Sequence, residues 1–368
     1  MRDTGLFINT LFRLGYSGEA KAFLKFIVRQ ARGGPNRDGD PLGLLYAIEG
    51  GEVPPEVELA HLHGYGGARP VRTGNRARSQ FQIDTFAHVL EAFFYFRHTG
   101  GKLDREMKKL LSAATDTLLR RWPEPDNGIW ETANRRPYTY GKIMAWNGLA
   151  LSARLFKERR AALGEICERI RREVFSAAVK MEEDHRYLAA TYGDREVDAS
   201  TLLAFTSDFL PLDLARATRQ RIEQKLGAGA LLYRNEKLRH AGEGAFLLCS
   251  CWLISHLAKE GELERAESLL QELLGRLSPL GLFAEEIDVS TGDFLGNFPQ
   301  AFSHLGLIGA ILNLDLARRK PELARLSDHE KFQRTVGPTV GVRGVIAGAF
   351  RVPTALRLLV ASRSKWRG

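Results

Sequence analysis

Two loops of this sequence carry carboxylates in settings that suit acid–base chemistry. Glu131 directly follows Trp130, and desolvation beside a large aromatic ring can raise the pKa of a carboxyl group, as a general acid requires. Glu285 and Glu286 form an adjacent pair before a helix predicted to open at Pro299. Hydrolysis of a glycosidic bond needs one carboxylic acid to protonate the leaving oxygen and a second carboxylate to activate water or attack the sugar. The two loops supply candidates for both roles, although each motif alone is also common as ordinary surface decoration.

Because Glu285 and Glu286 are neighbours, their side chains point in different directions in most loop conformations. We expect at most one of them to be the catalytic base. The other is then expected to bind the substrate or help to position it.

Helices are predicted to hold these loops in place. Residues 82–97 put Ile83, Phe86, Leu90 and Phe94 on one face at helical spacing. The sequence contains eleven such segments and no comparable series of alternating strand segments, so we predict an all-α chain. The predicted helices lie at about 4–14, 17–32, 82–97, 103–121, 138–157, 163–185, 198–210, 215–226, 243–259, 263–276 and 299–317.

The connections between these helices alternate in length. Those after the odd-numbered helices are mostly short, as in αα-hairpins, and those after the even-numbered helices are longer and richer in Gly, Pro and aromatic residues. A barrel of paired inner and outer helices has this rhythm, with its site built from the long loops at one end. The long connections include residues 33–78, 126–131, 227–242 and 277–298.

Composition limits the alternatives. The 368 residues are 44% hydrophobic and 26% charged, which is typical of a globular protein with one large domain or two ordinary ones. No uncharged apolar run is long enough to span a bilayer, and the first residues do not have the layout of a signal peptide. Three cysteines indicate neither a disulfide framework nor a metal site, so we expect a cytoplasmic protein without a bound metal.

The net charge of +9 is concentrated at the C-terminus. Residues 321–368 carry nine Lys and Arg against three Asp and Glu, which leaves +3 for residues 1–320. A basic tail on a near-neutral body is weak support for a polyanion or a membrane surface as partner. We therefore expect no nucleic acid and no membrane among the partners.

A series of motifs in fixed order resembles glycoside hydrolase family 15, the glucoamylase family, from Arg2 to about Leu314. The resemblance implies an (α/α)6 barrel, and it implies that the chemistry needs no metal or cofactor. The motifs are Arg2-Asp3, Gly64-Tyr65, Pro70-Val71-Arg72, Gly74-Asn75, Gln82-Ile83-Asp84, Gly128-Ile129-Trp130-Glu131, Tyr138-Thr139-Tyr140-Gly141-Lys142 with Trp146, Tyr233-Arg234, Glu243-Gly244-Ala245-Phe246 and Gly281-Leu282-Phe283-Ala284-Glu285-Glu286.

The resemblance also implies roles for residues. Glu131 would be the general acid, and Glu285 would be the general base on the opposite face of the sugar. The two carboxyl groups would then be about 6.5–9.5 Å apart, which is the spacing of an inverting mechanism. Residues expected to bind the substrate are Arg2, Asp3, Asp84, Trp130, Lys142, Arg234 and Glu286.

The chain departs from the family pattern at both ends. Family members carry a β-rich domain and one more barrel helix before the Arg-Asp motif, so we expect a barrel that is incomplete at its N-terminal helix. Its inner end would lack one wall, and Phe7, Leu11 and Leu14 would be more exposed than in a closed ring. We divide the chain into a catalytic domain at 1–320 and a basic extension of unknown role at 321–368. We favour a true start upstream of Met1 over a shortened protein.

We therefore predict an exo-acting, inverting α-glucoside hydrolase that releases glucose from the non-reducing end of α-glucans or maltooligosaccharides. Trehalose is the alternative substrate, because some family members resemble trehalases and the motifs do not separate the two. A truncated, catalytically impaired barrel is the alternative from another class, since a missing helix would leave Asp3 at a frayed end.

Overall fold

A double layer of helices forms the body of the molecule. The computed structural model describes residues 1–33, 36, 38–183 and 185–335. The α-helices of these residues are α1 Arg2–Leu14, α2 Ser17–Ala31, α3 Asp84–His98, α4 Arg105–Arg121, α5 Thr139–Leu155, α6 Arg160–Ala177, α7 Leu212–Leu226, α8 Glu236–His240, α9 Leu247–Glu260, α10 Leu263–Leu274, α11 Ala301–Arg319, α12 Pro321–Ala324 and α13 Asp328–Thr335. Segments of 3₁₀ helix lie at Tyr65–Gly67, Arg76–Ser79, Lys157–Arg159 and Ala199–Thr206.

Among the described residues, six elements form a closed inner ring. In order around the ring these are α1, α3, α5, the 3₁₀ segment Ala199–Thr206, α9 and α11, which packs back on α1. Helices α2, α4, α6, α7 and α10 pack on this ring from outside. The predicted two-layer α-barrel is confirmed. The expectation that an inner wall is missing was wrong, because α1 itself fills the place between α11 and α3.

Burial patterns explain the two layers. Helix α3 buries every residue of 84–96, as expected for an inner helix that is enclosed on all sides. Helix α10 buries only Ala266, Leu270, Leu273 and Leu274, which form one stripe at helical spacing. The apolar pattern of the sequence thus distinguishes inner from outer helices.

The outer side of α1 is only partly covered. Phe7 is 37% exposed and packs edge-on against Phe23, with 5.9 Å between ring centres. Ile8 and Phe12, which face the interior, are buried. The expected exposure of Phe7 is therefore observed, whereas Leu11 and Leu14 are partly buried.

Short antiparallel strands brace the loops. Pairs are formed by β1 Val57–Glu58 with β2 Arg72–Thr73, by β3 Val179–Glu182 with β4 His185–Leu188, and by β5 Gly227–Ala228 with β6 Leu231–Leu232. A three-stranded sheet contains β7 Ala245–Phe246, β8 Glu286–Ile287 and β9 Phe294–Leu295, with β8 in the centre. In its register Glu286 lies opposite Phe246 on one side and Leu295 on the other. This sheet fixes the Glu285–Glu286 loop beside the start of α9.

Two predicted helices differ from the structure. The segment predicted at 163–185 ends as a helix at Ala177 and continues into the β3–β4 hairpin. The segment predicted at 198–210 is a 3₁₀ helix. Asp198 accepts hydrogen bonds from the backbone and the hydroxyl of Ser200, and Thr201 donates to the Asp198 carbonyl. These local bonds compete with α-helical bonding.

The chain beyond the predicted boundary at residue 320 continues onto the barrel. Helix α12 packs on α11, and α13 packs on α3. The Phe332 ring is buried against Tyr95 and Phe12, at centroid distances of 4.3 and 6.5 Å. The division at residue 320 stays a prediction, and residues 336–368 lie outside the described part. In the described part, no helix is both long enough and apolar enough to cross a bilayer.

Candidate active site

The residues that could carry chemistry lie at one end of the inner ring. Each outer helix returns the chain, so the inner helices all begin at the same end of the barrel. Arg2 opens α1 and Asp84 opens α3, while Glu131 lies in the loop before α5. The pair Glu285 and Glu286 lies in the loop before α11. The loops thus bring together residues that are far apart in sequence.

Arg2 is a buried cation in one half of this end. Its guanidinium donates to Gln82 Oε1 at 2.8 Å and to Asp84 Oδ2 at 3.3 Å, and it lies 4.0 Å from Glu131 Oε1. Burial alone would lower the pKa of Arg2, but the charges of Asp84 and Asp3 outweigh burial and raise the pKa. The site therefore contains a permanent positive charge beside the candidate acid.

Glu131 has the surroundings of a proton donor. Its backbone has φ of +56°, a left-handed conformation that is strained for a residue other than glycine, and its carbonyl accepts a hydrogen bond from Gln80 Nε2 at 2.9 Å. Partial burial raises the pKa of the Glu131 carboxyl, and Asp3 adds to the increase, while Arg2 and Asn75 oppose it. A raised pKa keeps the carboxyl protonated up to a higher pH, as a general acid needs.

Two buried side chains hold the Glu131 loop against the start of α3. Asn127 Oδ1 accepts the backbone N–H of Phe81 at 3.0 Å, and Asn127 Nδ2 donates to the carbonyl of Thr132 at 2.8 Å. Asp126 Oδ2 accepts the N–H of Ile83 at 3.1 Å, and burial raises the pKa of Asp126 to about 7. Sequence analysis gave neither residue a positioning role, although both stand in the stretch that leads to Glu131.

Trp130 connects the Glu131 loop to the other half of the site. Its indole N–H donates to both carboxylate oxygens of Asp198, at 2.9 and 2.8 Å. Its ring stands 5.5 Å from Phe246 and 6.0 Å from Trp252 between centroids, and the Arg234 guanidinium lies 5.3 Å from its centre. Asp198 was not predicted, because no local pattern links it to a residue 68 positions away.

Arg234 joins this aromatic group to the glutamate pair. Its Nε donates to Glu243 Oε2 at 3.0 Å, and its Nη2 lies 3.6 Å from Glu286 Oε1. Burial raises the pKa of Glu286, which Arg234 opposes and the adjacent Glu285 increases. Glu286 is thus tied to a cation, in keeping with a binding or positioning role.

Glu285 is held by one neighbouring residue of the same loop. Its Oε2 accepts hydrogen bonds from Asn297 N at 3.1 Å and from Asn297 Nδ2 at 2.9 Å, and its own N–H donates to the Asn297 carbonyl at 2.9 Å. Gly296 has φ of +69°, and a Cβ atom there would lie 2.8 Å from Glu285 Oε2. A glycine is therefore required where the backbone approaches this carboxylate.

A continuous set of contacts joins the two candidate acids. It leads from Glu131 to the adjacent Trp130, then to Arg234, Glu286 and Glu285. Both loops consequently belong to the same end of the barrel. The separation of about 6.5–9.5 Å between them stays a prediction.

Two predicted binding residues lie elsewhere or at the margin. Lys142 is 3% exposed, and its ammonium donates to the carbonyls of Trp122 and Glu124 at 2.5 and 2.8 Å. Its position on α5 directs it to the C-terminal end of α4, where a cation satisfies free carbonyls, and the binding role of Lys142 stays a prediction. The Asp3 side chain is 66% exposed and lies 3.6 Å from Arg2 Nε.

A cavity of about 120 Å³ lies deeper in the lumen. Its walls include His88, Glu91, Met144, Asn147 and Trp252, which stand further along the inner helices than the two candidate acids. No group of three or more potential metal ligands occurs among the described residues.

Comparison with known proteins places this geometry in context. The sequence profile of "Glycosyl hydrolases family 15" matches residues 1–312. A trehalase from Mycolicibacterium smegmatis is 36% identical over 335 residues, which is 88% of this chain and 50% of that protein. A trehalase from Thermoplasma acidophilum is 32% identical over 328 residues, 86% of this chain and 55% of that protein. The chain spans about half the length of these curated relatives.

Solved structures agree on the fold. The structure titled "Glycosidase Wild Type" superposes with a TM-score of 0.67 at 20% identity, over 86% of this chain and 87% of the other. A glycosidase variant in complex with glucose gives a TM-score of 0.66 at 19% identity, over 86% of this chain and 87% of the other. At these identities the likeness concerns the architecture alone.

Proposed function

This chain belongs to glycoside hydrolase family 15, and from that premise we propose that it hydrolyses trehalose by an inverting mechanism. Sequence analysis placed α-glucans first and trehalose second. The curated relatives described above are named trehalases, and this supports the reverse order. The glucose complex of a structural neighbour also fits a site for a glucosyl unit.

In the proposed mechanism the two glutamates act from opposite sides of the bond. Glu131 donates its proton to the glycosidic oxygen as the bond to the anomeric carbon breaks. Glu285 takes a proton from a water molecule, and the oxygen of that water attacks the same carbon from the other face. One glucose leaves with the glycosidic oxygen, and the other gains the hydroxyl from water.

The remaining residues bind and orient the sugar. Arg2 and Asp84 form a buried pair beside Glu131, and we assign them to the glucosyl unit whose bond is cleaved. Arg234 and Glu286 form the wall next to Glu285, with Trp130 between the two halves. We assign no step to Lys142.

One observation carries the proposal: the two candidate acids have different surroundings in loops at the same end of the barrel. The Glu131 side chain is 39% exposed, and its pKa is raised, so it suits the protonated role. Glu285 accepts two hydrogen bonds from Asn297, so it suits the role of a fixed acceptor. Such a division of carboxylates is what glycosidic hydrolysis requires.

The test is glucose release from trehalose, maltose and maltooligosaccharides by purified protein. We expect trehalose to be cleaved with the highest kcat/KM. Glu131→Gln should lower kcat by about 10²–10⁴-fold, because it removes the proton donor and keeps the shape of the side chain. Glu264→Gln on the exposed face of α10 is the matched control and should behave as the unchanged protein.

The outcomes separate the alternatives. Preference for maltooligosaccharides would favour the glucoamylase-like substrate predicted from sequence. A folded protein that releases no glucose from any of these sugars would support the catalytically impaired barrel.

A further inference from the structure

Helix α3 carries a line of polar side chains from the site into the interior. Asp84, His88, Glu91 and Tyr95 follow one another at intervals of four, three and four residues, which places them on one helix face. All four are buried. A buried carboxylate such as Glu91 is costly unless it is fully hydrogen-bonded, so its partners need an explanation.

Glu91 accepts hydrogen bonds from three directions. His88 Nδ1 lies 3.3 Å from Glu91 Oε2, and the Tyr95 hydroxyl donates to Oε1 at 3.2 Å. His329 Nε2 lies 3.1 Å from the same Oε1. Burial alone would raise the pKa of Glu91, but the hydrogen bonds from His329 and His88 outweigh burial and hold the pKa well below its usual range. Glu91 is therefore an ionised acceptor around which its neighbours are oriented.

The line continues upward from Glu91 to the sugar-binding end. The other ring nitrogen of His88, Nε2, lies 3.0 Å from the Tyr140 hydroxyl. Burial, followed by the charge of Asp84, raises the pKa of Tyr140, which keeps its proton in place. Asp84 in turn pairs with Arg2 at 3.3 Å, beside Glu131.

The direction of these hydrogen bonds follows from donor and acceptor chemistry. Ionised Asp84 and Glu91 can only accept, and Tyr140 has a single proton. If that proton is directed to Asp84, both ring nitrogens of His88 must donate, Nε2–H to the tyrosine oxygen and Nδ1–H to Glu91, and the ring then carries two protons. A ring with a single proton on Nδ1 still donates to Glu91 but accepts the Tyr140 proton at Nε2. The orientation of the His88 ring thus decides where the Tyr140 hydroxyl points.

The line also continues downward, into a segment outside the family match. The profile match ends at residue 312, whereas His329 lies in α13. The His329 ring stacks on Tyr95 at 5.8 Å, and Phe332 of the same helix packs on Tyr95 at 4.3 Å. Helix α13 therefore contributes two contacts at this end of the line: His329 donates to Glu91, and Phe332 packs on Tyr95.

We propose that Glu91 and His329 are positioning residues, which orient His88 and Tyr140 and so hold Asp84 and Arg2 in place for the glucosyl unit. This proposal rests on the function proposed above. It assigns α13 a part in substrate binding from the end of the barrel opposite the catalytic glutamates.

Variants of α13 separate this role from simple packing. His329→Leu removes the donor to Glu91, and His329→Gln keeps an N–H at a similar position. Phe332→Leu is the matched control, because it loosens the packing of the same helix and removes no hydrogen-bonding group. The measurements are the melting temperature and the kcat and KM for trehalose.

We expect His329→Leu to raise KM about tenfold or more, since a buried acceptor loses its partner and the pair that binds the sugar is displaced. The kcat value should change by less than about threefold, and His329→Gln should recover most of the affinity. Phe332→Leu should lower the melting temperature and leave KM unchanged. An equal rise of KM in Phe332→Leu and His329→Leu would overturn the proposal in favour of packing alone.

A spectroscopic measurement tests the coupling without any turnover. Proteins labelled with nitrogen-15 histidine give ring-nitrogen signals, and His88 is assigned by its loss in His88→Gln. We expect the His88 ring signals to shift in His329→Leu and to stay in place in Phe332→Leu. Unmoved His88 signals in His329→Leu would overturn the proposal even if trehalose is cleaved. If no sugar is cleaved but these signals shift, the coupling stands and the proposed function fails.

Discussion

At the scale of residues, the two candidate acids owe their difference to their neighbours rather than to their type. Both are glutamates in loops before inner helices. Glu131 is held in a left-handed backbone conformation with its carboxyl partly withdrawn from water, which raises its pKa. Glu285 faces an amide that fixes one of its oxygens. A donor and an acceptor of protons can thus be built from the same side chain.

The adjacent glutamates give a direct test of this assignment. Glu285→Gln should lower kcat by about 10²–10⁴-fold, because the amide cannot take a proton from water. Glu286→Gln should be milder and act mainly on KM, since Glu286 is tied to Arg234. Steady-state kinetics on trehalose measure both. If Glu286→Gln were inactive and Glu285→Gln active, the base would be the other residue of the pair.

The pH dependence of the reaction reports on Glu131. A general acid works while protonated, so kcat/KM should fall as the pH rises through its raised pKa. Asn75 lowers the pKa of Glu131, so Asn75→Ala should move this falling limb to higher pH by up to about one unit. Asn75→Ser, which can still accept the N–H of Ala77, should give the same shift. A limb that stays in place or moves to lower pH would contradict the assignment.

At the scale of elements, the loop before α11 must bring its backbone close to Glu285. Gly296 and Gly292 lie in this loop with φ of +69° and +78°, but only Gly296 approaches Glu285, since a Cβ at Gly292 would meet no atom within 4 Å. Gly296→Ala should therefore lower kcat by displacing the carboxylate. Gly292→Ala carries similar backbone strain, about 1–2 kcal/mol, and should lower the stability without this loss of activity. Measuring kcat and the melting temperature of both variants tests this prediction. Equal kcat values would show that the contact at Gly296 has no effect on the base.

The elements also show what a sequence can and cannot predict. Inner and outer helices were predictable because their apolar residues recur with the period of the helix, as in α3 and α10. The 3₁₀ helix in the segment 198–210 was not predictable, because the hydrogen bonds of Asp198 with Ser200 and Trp130 override the apolar pattern of that segment. Lys142 was assigned to the site from a motif, yet its direction depends on the carbonyls at the end of α4. Distant hydrogen bonds of this kind leave no local signal.

At the scale of the whole molecule, the inner ring closes through α11 and α1, and both halves of the candidate site stand on it. The family motifs predicted that the loops of Glu131 and Glu285 lie at one end of this ring, since their order along the chain reflects the order of helices around it. The line from α13 through Glu91 was not predictable, because it joins residues 238 positions apart and lies partly outside the family match.

The stereochemistry of trehalose cleavage tests the central claim most directly. In trehalose both glucosyl units are α-linked, so inversion at one carbon yields one β-glucose and one α-glucose. The anomeric protons of freshly formed glucose, followed by proton NMR before mutarotation, should show the two forms in equal amounts. They should be absent in Glu131→Gln over the same time. Initial formation of α-glucose alone would indicate retention, with the carboxyl groups only about 5–5.5 Å apart, and would contradict the roles assigned to Glu131 and Glu285.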